Sequence, residues 1–453
     1  MRIEEDCVGK MEVPDNALYG IHSLRAVGNF PITKDLVHPK IIESYIQIKK
    51  AAAKTNYAAN TLDVTKYDII IKACDRLLKS GDQSGFITPA IQGGAGTSTN
   101  MNTNEVIANL AMKIDPNIFV HPNDDVNQSQ STNDTYPTAG KMAMLKLIPG
   151  LLGELNRLVT TFKELGLKFS KTIKLGRTQL QDAVPTTYGK SFHAYASLFN
   201  RDINRIKHAS EELKTISMGG TAIGTGMNAS KYYQQHIVEN INKYSKMNLK
   251  SDQDLIDAVQ NTDHFVTFSA ALKTLAVDLS KVSNDLRLLA SGPQSGLNEL
   301  RLPKRQAGSS IMPNKINPVI PEVVNQVAFE VIGFDATVTA ASEAGQLELN
   351  AFEPIMFKSI LTAEEHLTNA MQTLINNCLK DIDVNDDKCR EDVKKSAVTA
   401  TILSPILGYV QTTKIIQESL KKKISVKDIL LNRNILDKTK IDKLFAPKNL
   451  VNG

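Results

Sequence analysis

Apolar residues recur at spacings of three and four along the middle of the chain, the pattern of helices that bury one narrow stripe. The longest run ends at Gly292-Pro293 and consists of Phe265, Phe268, Leu272, Leu275, Leu279, Val282, Leu286 and Leu289. A second run, with a predicted kink at Pro149, consists of Leu145, Ile148, Leu152, Leu155, Val159 and Phe162. A third consists of Phe192, Tyr195, Phe199, Ile203 and Ile206, and further helices are predicted near 323–341 and 360–378. Narrow stripes of this length indicate helices packed nearly parallel in a bundle.

The two ends of the chain have shorter periodic segments broken by turns. We therefore predict an all-α protein with three domains: residues 1–137, mostly helical; residues 138–396, the central long-helix bundle; and residues 397–453, a small helical domain. Because the central stripes are longer than one domain needs, we expect them to pair across chains in an oligomer.

Composition narrows the class of protein. Of 453 residues, 42% are hydrophobic and 22% charged, which is ordinary globular composition. The net charge of +5 is too small and too scattered to predict nucleic-acid binding. It is compatible with a preference for small anions, although an ordinary solvated surface explains it as well. The four cysteines form no paired motif, the start has no signal-peptide pattern, and no apolar run approaches the length of a membrane span. We expect a cytoplasmic protein with no membrane partner.

Four polar stretches interrupt the predicted helices. They are "GGAGTSTNMNTNE" (93–105), "QSQSTNDTYPT" (128–138), "GRTQLQDAVP" (176–185) and "AGSSIMPNKINPV" (307–319). Each offers hydroxyls, amides or a cation beside a predicted helix start, where backbone N–H groups are unpaired. Each alone is more simply explained as a helix cap or turn. Together they predict a site for a small carboxylate. A further run, "MGGTAIGTG" from Met218, is either a ligand lid or a flexible loop.

Other functional motifs are absent from the sequence. There is no phosphate loop, "GGAG" does not extend to a dinucleotide fingerprint, and there is no HExxH zinc motif.

The segment "GSSIMPNKINP" (308–318) resembles the GSSxMPxKxNP signature of the aspartase/fumarase superfamily, and "GTSTNMNTNE", "STND" and "GRT" resemble its other blocks in the same order. The resemblance extends over nearly the whole chain. Within the superfamily, "GGAGTS" and "GQLELNAFEP" (345–354) resemble the aspartate ammonia-lyase branch. Gln179 stands where class II fumarases place His, which argues against that branch. Asn314 stands at a loop position that is often Gly, and Asn tolerates a positive φ.

The resemblance implies reversible removal of ammonia from L-aspartate to give fumarate, with no organic cofactor and no obligatory metal. It implies that Ser309, as an alkoxide, takes a proton from the carbon beside the β-carboxylate. It also implies a homotetramer whose sites are shared between subunits. The implied substrate-binding residues are Thr97, Ser131, Thr132, Asn133, Thr178, Gln179, Ser310, Lys315 and Asn317.

Three alternatives stay open at this point. A class II fumarate hydratase or a lyase for a substituted aspartate would need the same base and the same anion donors. A non-catalytic structural relative could dispense with Ser309 and Lys315, and the sequence keeps both.

Overall fold

The structure is a computed structural model of one chain, and it describes residues 1–451. Its α-helices are α1 (Ile21–Asn29), α2 (Pro39–Ala58), α3 (Val64–Ser80), α4 (Thr97–Ile114), α5 (Thr132–Lys168), α6 (Tyr188–Glu212), α7 (Lys231–Ser245), α8 (Leu255–Gln260), α9 (Asp263–Leu289), α10 (Val319–Glu343), α11 (Glu353–Asn377), α12 (Asp386–Lys395), α13 (Ser404–Leu407), α14 (Tyr409–Lys422), α15 (Val426–Asn432), α16 (Lys438–Leu444) and α17 (Pro447–Val451). Short 3₁₀ segments cover Leu379–Asp381 and Ala397–Leu403, and one π-helical turn covers Pro122–Val126.

The described strands are short and form four two-stranded pairs. They are β1 (Arg2–Asp6), β2 (Gly9–Val13), β3 (Ile173–Thr178), β4 (Gln181–Thr187), β5 (Thr215–Ile216), β6 (Lys250–Ser251), β7 (Leu300–Arg301) and β8 (Asp383–Val384). β1–β2, β3–β4 and β7–β8 are antiparallel pairs, and β5–β6 is parallel. The strands serve as local braces in a predominantly helical protein.

The predicted all-α class and the long helices are confirmed. The three apolar runs lie on α9, α5 and α6, and the two further helices correspond to α10 and α11. In the longest run every residue except the last, Leu289, is buried. Pro149 lies inside α5, as the second run required.

The chain divides into two compact units. The first consists of Met1–Leu152, Asn204–Ala276 and Ala328–Thr368, and the second takes the remaining segments. The three-domain division at residues 137 and 396 stays a prediction.

The core of the first unit contains a cluster of aromatic rings, and two glycines leave the space that these rings occupy. The rings of Tyr136 and Phe357 lie 5.0 Å apart, and the Phe265 ring also lies 5.0 Å from the Phe357 ring. A Cβ on Gly96 would overlap the Tyr136 ring, and a Cβ on Gly140 would overlap the Phe357 ring. Gly96 also has φ +86°, a conformation that favours glycine. The absence of side chains here lets the start of α4 and the face of α5 approach the rings.

A buried carboxylate fixes the start of α1. Glu105, on α4, accepts hydrogen bonds from the backbone N–H groups of Gly20 (2.9 Å), His22 (2.8 Å) and Ser23 (3.2 Å), and from the Ser23 hydroxyl. The first N–H groups of a helix lack partners within the helix, and a negative charge there is stabilised. Glu105 therefore acts as a cap supplied from another helix.

The second unit contains a small C-terminal core. Its buried members are Ala397, Ala400, Leu403, Ile415, Val426, Ile429, Leu430, Ile441 and Phe445. Ile173, Leu175 and Val393 form a separate buried cluster where β3 contacts α12.

Membrane insertion has no support in the helices. None of those within residues 1–451 combines the length and the low polarity needed to cross a bilayer.

One buried carboxyl lacks partners and makes stability depend on pH. Glu364, on α11, is fully buried, neither of its carboxyl oxygens accepts a hydrogen bond from a described residue, and burial raises its pKa well above the usual value. Because the folded-state pKa is the higher one, the protonated group is fully compatible with folding below the unfolded pKa of about 4.3. Stability is then lost as pH rises from there toward the folded pKa.

We predict that Glu364→Gln removes part of this loss. The difference in melting temperature between the variant and the parent should be smallest at pH 4, and it should grow in favour of the variant by at least about 2 °C between pH 4 and pH 8.5. The matched control is Glu343→Gln, an exposed glutamate at the end of α10 in the same unit. Equal melting temperatures for parent and Glu364→Gln across this range would contradict the prediction.

Candidate active site

The Ser309 hydroxyl lies at the start of a tight loop. Its Oγ accepts hydrogen bonds from the backbone N–H groups of Ile311 (3.2 Å) and Met312 (3.1 Å). Hydrogen bonds donated to an oxygen stabilise its anionic form and so favour deprotonation. The loop thus supplies two of the donors that a serine base requires. α10 begins at Val319, the last residue of the 307–319 stretch, so this stretch adjoins a helix start, as the sequence predicted.

The loop is closed by contacts between its two ends. The Gly308 N–H donates to the Lys315 carbonyl (2.7 Å), and the Asn317 side chain donates to the Gly308 carbonyl (2.8 Å). A Cβ on Gly308 would lie 2.7 Å from the Lys315 carbonyl oxygen, which explains glycine at this position. Asn314 has φ +62°, so its tolerance of the left-handed conformation is used, as the sequence predicted.

The tip of the loop is open to solvent in the single chain. Ser310 and Lys315 are exposed, and two apolar residues, Ile311 and Met312, are 84% and 48% exposed. Within the described residues the Lys315 ammonium has no ion-pair partner, so it is free to meet an external carboxylate.

Thr178 and Gln179 lie at the tip of the β3–β4 hairpin. The stretch 176–185 is itself strand and turn, because Thr178 pairs with Gln181 in an antiparallel ladder, and the predicted helix start follows it at Tyr188, where α6 begins. Gln179 and Leu180 form the turn, with φ +53° and +63°. Two left-handed residues match the two-residue turns that suit the strand twist, although neither is the usual Gly or Asn. Such strain is concentrated at functional sites.

A buried carboxylate holds the base of this hairpin. Glu299 is fully buried, forms a short ion pair with Arg177, and accepts a hydrogen bond from the Tyr188 hydroxyl (2.8 Å). The Lys174 ammonium lies 3.8 Å from the same carboxylate. Arg177 precedes Thr178 directly, so Glu299 fixes the residue that presents the hairpin tip. Sequence reasoning missed Glu299, because only the fold brings it to Arg177.

In the first unit, Thr97 is the first residue of α4. Gly96 precedes it as the N-cap in a left-handed conformation, and the Thr97 N–H donates to the Gly94 carbonyl (2.9 Å). The Thr97 side chain is half-buried. It stands where a helix N-terminus favours an anion, as the sequence predicted.

The "STND" segment forms the start of α5 and is held by Asp134. This fully buried carboxylate accepts from the backbone N–H groups of Ser131 (3.0 Å), Gly219 (3.2 Å) and Thr221 (3.0 Å). Burial raises the pKa of Asp134 to about 6, and these donors oppose the shift. The Asn133 side chain donates to the Ala222 carbonyl (2.7 Å). The Gly-rich run from Met218 is therefore packed against Ser131–Asn133.

Lys49, on α2, is a charged neighbour of this segment that the sequence analysis did not find. Its fully buried ammonium donates to Asn100 (2.7 Å), Asn127 (2.9 Å) and Gln130 (3.0 Å), and Asn100 in turn donates to the Thr132 hydroxyl (3.0 Å). Burial lowers the pKa of Lys49 to about 7. The hydroxyl of Thr132 is therefore oriented by an amide that a buried cation polarises.

The predicted residues thus form two groups, one in each unit. Within the first unit, Ser131, Thr132 and Asn133 adjoin in one short segment, and Thr97 begins a separate helix. Within the second, the 308–317 loop and the hairpin tip are two separate elements. The group in the first unit consists of Thr97, Ser131, Thr132 and Asn133. The group in the second unit consists of Thr178, Gln179, Ser309, Ser310, Lys315 and Asn317. Both present hydroxyls, amides and N–H donors suited to carboxylates. Among the described residues no cluster of His, Cys, Asp or Glu could hold a metal ion.

Named relatives cover the whole chain. Aspartate ammonia-lyases from Pseudomonas aeruginosa and Helicobacter pylori are each 45% identical to it; the alignments cover 99% and 100% of this chain and 97% and 98% of theirs. The aspartate ammonia-lyase of a Bacillus species is 43% identical, over 99% of this chain and 97% of its own.

Solved structures of related lyases also match the chain over nearly its whole length. The fumarate lyase:delta crystallin from Brucella melitensis superposes with a TM-score of 0.95 at 43% identity, over 98% of both chains. The class II fumarase of Schistosoma mansoni superposes with a TM-score of 0.94 at 33% identity, also over 98% of both chains. The family model described as "Lyase" matches residues 9–333, and the one described as "Fumarase C C-terminus" matches residues 400–452. The chain therefore belongs to the lyase family, and its last part is the fumarase C type of C-terminus.

Proposed function

We propose that this protein is an aspartate ammonia-lyase that converts L-aspartate reversibly to fumarate and ammonia. The name borne by relatives at 43–45% identity over the full chain supports the substrate. The observation that carries the chemistry is the pair of backbone N–H groups donated to the Ser309 hydroxyl within "GSSIMPNKINP".

Ser309 acts as the base. It removes the proton from Cβ, and the electron pair passes into the β-carboxylate to give a dianionic aci-carboxylate. The pair then returns to form the carbon–carbon double bond as the Cα–N bond breaks and ammonia leaves. Each unit by which the serine pKa is lowered requires about 1.4 kcal/mol of preferential stabilisation of the alkoxide. The two loop N–H groups and the Lys315 charge are the sources in this chain.

The remaining predicted residues hold the two ends of the substrate. Lys315 binds a carboxylate as a point charge, and the hydroxyls of Thr97, Ser131 and Thr132 receive the β-carboxylate. Asn133, Thr178 and Gln179 bind the end of the substrate that carries the α-carboxylate and the ammonium. Donors fixed before the reaction, as Ser131 is by Asp134, stabilise developing charge at little reorganisation cost. One such donor is typically worth about 10²–10³ in rate.

The assembly we propose is a homotetramer whose sites combine residues of different subunits. α10 supports it, because Phe329 and Ile332 are 62% and 39% exposed in the single chain and lie one helical turn apart. Exposed apolar groups on one helix face are typical of a protein interface. The exposed tips at Leu180 (70%) and Ile311 (84%) support contact with other chains as well. The free state of all four cysteines fits the cytoplasm, where we place the protein.

The proposal predicts that L-aspartate, and not L-malate, gives fumarate. Fumarate absorbance should rise with L-aspartate, and one ammonia should be released for each fumarate formed. L-Malate at the same concentration is the control for the hydratase alternative, which the likeness to a class II fumarase makes specific. Rapid conversion of L-malate with no ammonia released from L-aspartate would overturn the proposal.

Ser309→Ala should fold normally and lose turnover. Removing a general base costs at least about 100-fold in kcat, while the loss of one half-buried hydroxyl changes packing little. Ser295→Ala, an exposed serine of the same unit, is the matched control. Melting temperature and kcat are measured for both. A kcat for Ser309→Ala near that of Ser295→Ala would exclude Ser309 as the base.

Shared sites predict that two inactive variants restore each other. Ser309→Ala and Thr178→Ala chains, unfolded and refolded together, mix at random, so a site receives each intact element half the time. About a quarter of sites should then contain both in a closed symmetric assembly. Variants refolded separately and mixed afterwards are the control. If mass measurements confirm mixed tetramers and activity still does not return, sharing between these two elements is wrong.

A further inference from the structure

The second unit contains a cavity that the proposed reaction does not use. It encloses about 470 Å³ and lies between the end of α12 and the C-terminal helices α14–α17. Its apolar lining includes Ile173, Val393, Val426, Phe445 and Leu450. Pockets that bind small molecules are commonly about 300–1,000 Å³ and mostly apolar with few polar groups. The size and lining therefore suit an organic ligand larger than a four-carbon acid.

The charged residues that line the cavity are all cations. Four cations line it, Arg390, Lys394, Lys395 and Lys427, and no Asp or Glu occurs among its described lining residues. Arg390 pairs with Asp386 (2.6 Å), and Lys395 pairs with Glu391. Lys394 and Lys427 have no ion pair within residues 1–451. These two ammonium groups remain available for an anionic group of a ligand.

The hydroxyls that line the cavity already have partners. Ser396 donates to Asp182 (2.9 Å), Ser425 to Asp428 (2.7 Å) and Ser419 to the Ile424 carbonyl (2.7 Å). A ligand that covers these hydroxyls therefore leaves none of them newly unpaired, and burying an unpaired polar group is what makes an apolar ligand costly.

We propose that this cavity binds a medium-chain alkyl carboxylate. The alkyl chain lies on Val393, Val426 and Phe445, and the carboxylate lies between Lys394 and Lys427 at the rim. The Lys427 ammonium stands 5.4 Å from the centre of the Phe445 ring, so it adjoins both the charged and the apolar part of the site. This ligand differs in class from the dicarboxylate substrate, and the proposal does not depend on the catalytic one.

The first test is calorimetry of the full-length protein with hexanoate, octanoate and decanoate. Burial of each added methylene should tighten Kd about fourfold, and so each two-carbon step about 15-fold, until the cavity is full. Decanol is the control for charge and should bind at least tenfold more weakly than decanoate. Equal binding of decanol and decanoate, no dependence on chain length, or no binding at millimolar ligand would each overturn the proposal.

Two variants test the rim. Lys394→Glu and Lys427→Glu should each weaken decanoate at least tenfold and leave decanol unchanged. Lys421→Glu, a lysine exposed on α14 outside the cavity, is the matched control and should bind decanoate like the parent. If all three variants bind decanoate equally, Lys394 and Lys427 do not hold the carboxylate.

A reporter locates the ligand. The sequence contains no tryptophan, so Leu450→Trp introduces a single indole at the cavity wall. Decanoate should shift its emission to shorter wavelength with the Kd found by calorimetry. Binding measured by heat that leaves this emission unchanged would mean that the ligand sits elsewhere, and would overturn the assignment.

Discussion

The first unit's part of the site depends on one buried carboxylate. Asp134 accepts backbone N–H groups from its own segment and from the Gly219–Thr221 turn, and so fixes both around the hydroxyls of Ser131 and Thr132. Burial raises the pKa of Asp134, and the three donors and the positive charge of Lys49 work against that shift. A carboxylate can gather several N–H groups at once, which no apolar side chain can do. Burying the charge costs free energy, but the hydrogen bonds that it accepts give the polar loop a defined shape.

The second unit also uses a buried carboxylate to hold its β3–β4 hairpin. At Ser309, the proposed catalytic base, the arrangement is reversed. Glu299 pairs with the Arg177 guanidinium and accepts a hydrogen bond from the Tyr188 hydroxyl. Both contacts lie below the hairpin tip, so the tip stays accessible. At Ser309 the oxygen to be charged is instead the acceptor, and the chain supplies N–H donors around it. At the hairpin the donors to the carboxylate are side chains, whereas at Ser309 the irregular backbone itself is held by N–H groups that donate to one side-chain oxygen. A helix or strand would have used those N–H groups internally.

Local pattern was sufficient for the long helices and for the identity of the polar segments. Apolar residues at every third or fourth position were enough to predict α9 without knowledge of its neighbours in the fold. The Gly, Pro and polar residues of 307–319 were enough to predict an irregular segment there. The β3–β4 hairpin was missed because Gln179 and Leu180 carry none of the usual signals of a two-residue turn. Lys49 and Glu299 were missed for another reason: each acts through partners at least 50 residues away, and a single sequence does not reveal which distant residues meet.

The glycine and aromatic pairs of the first unit also restrict how this protein can change. Because a methyl group on Gly96 would occupy the space of the Tyr136 ring, and one on Gly140 that of Phe357, neither glycine can be replaced unless its ring shrinks in the same step. Shrinking either ring first leaves a void beside the other, since the rings contact each other. A mutant library that varies Thr97 and its neighbours one position at a time would therefore find Gly96 invariant. Only libraries that change Gly96 and Tyr136 together would reach new shapes for the start of α4.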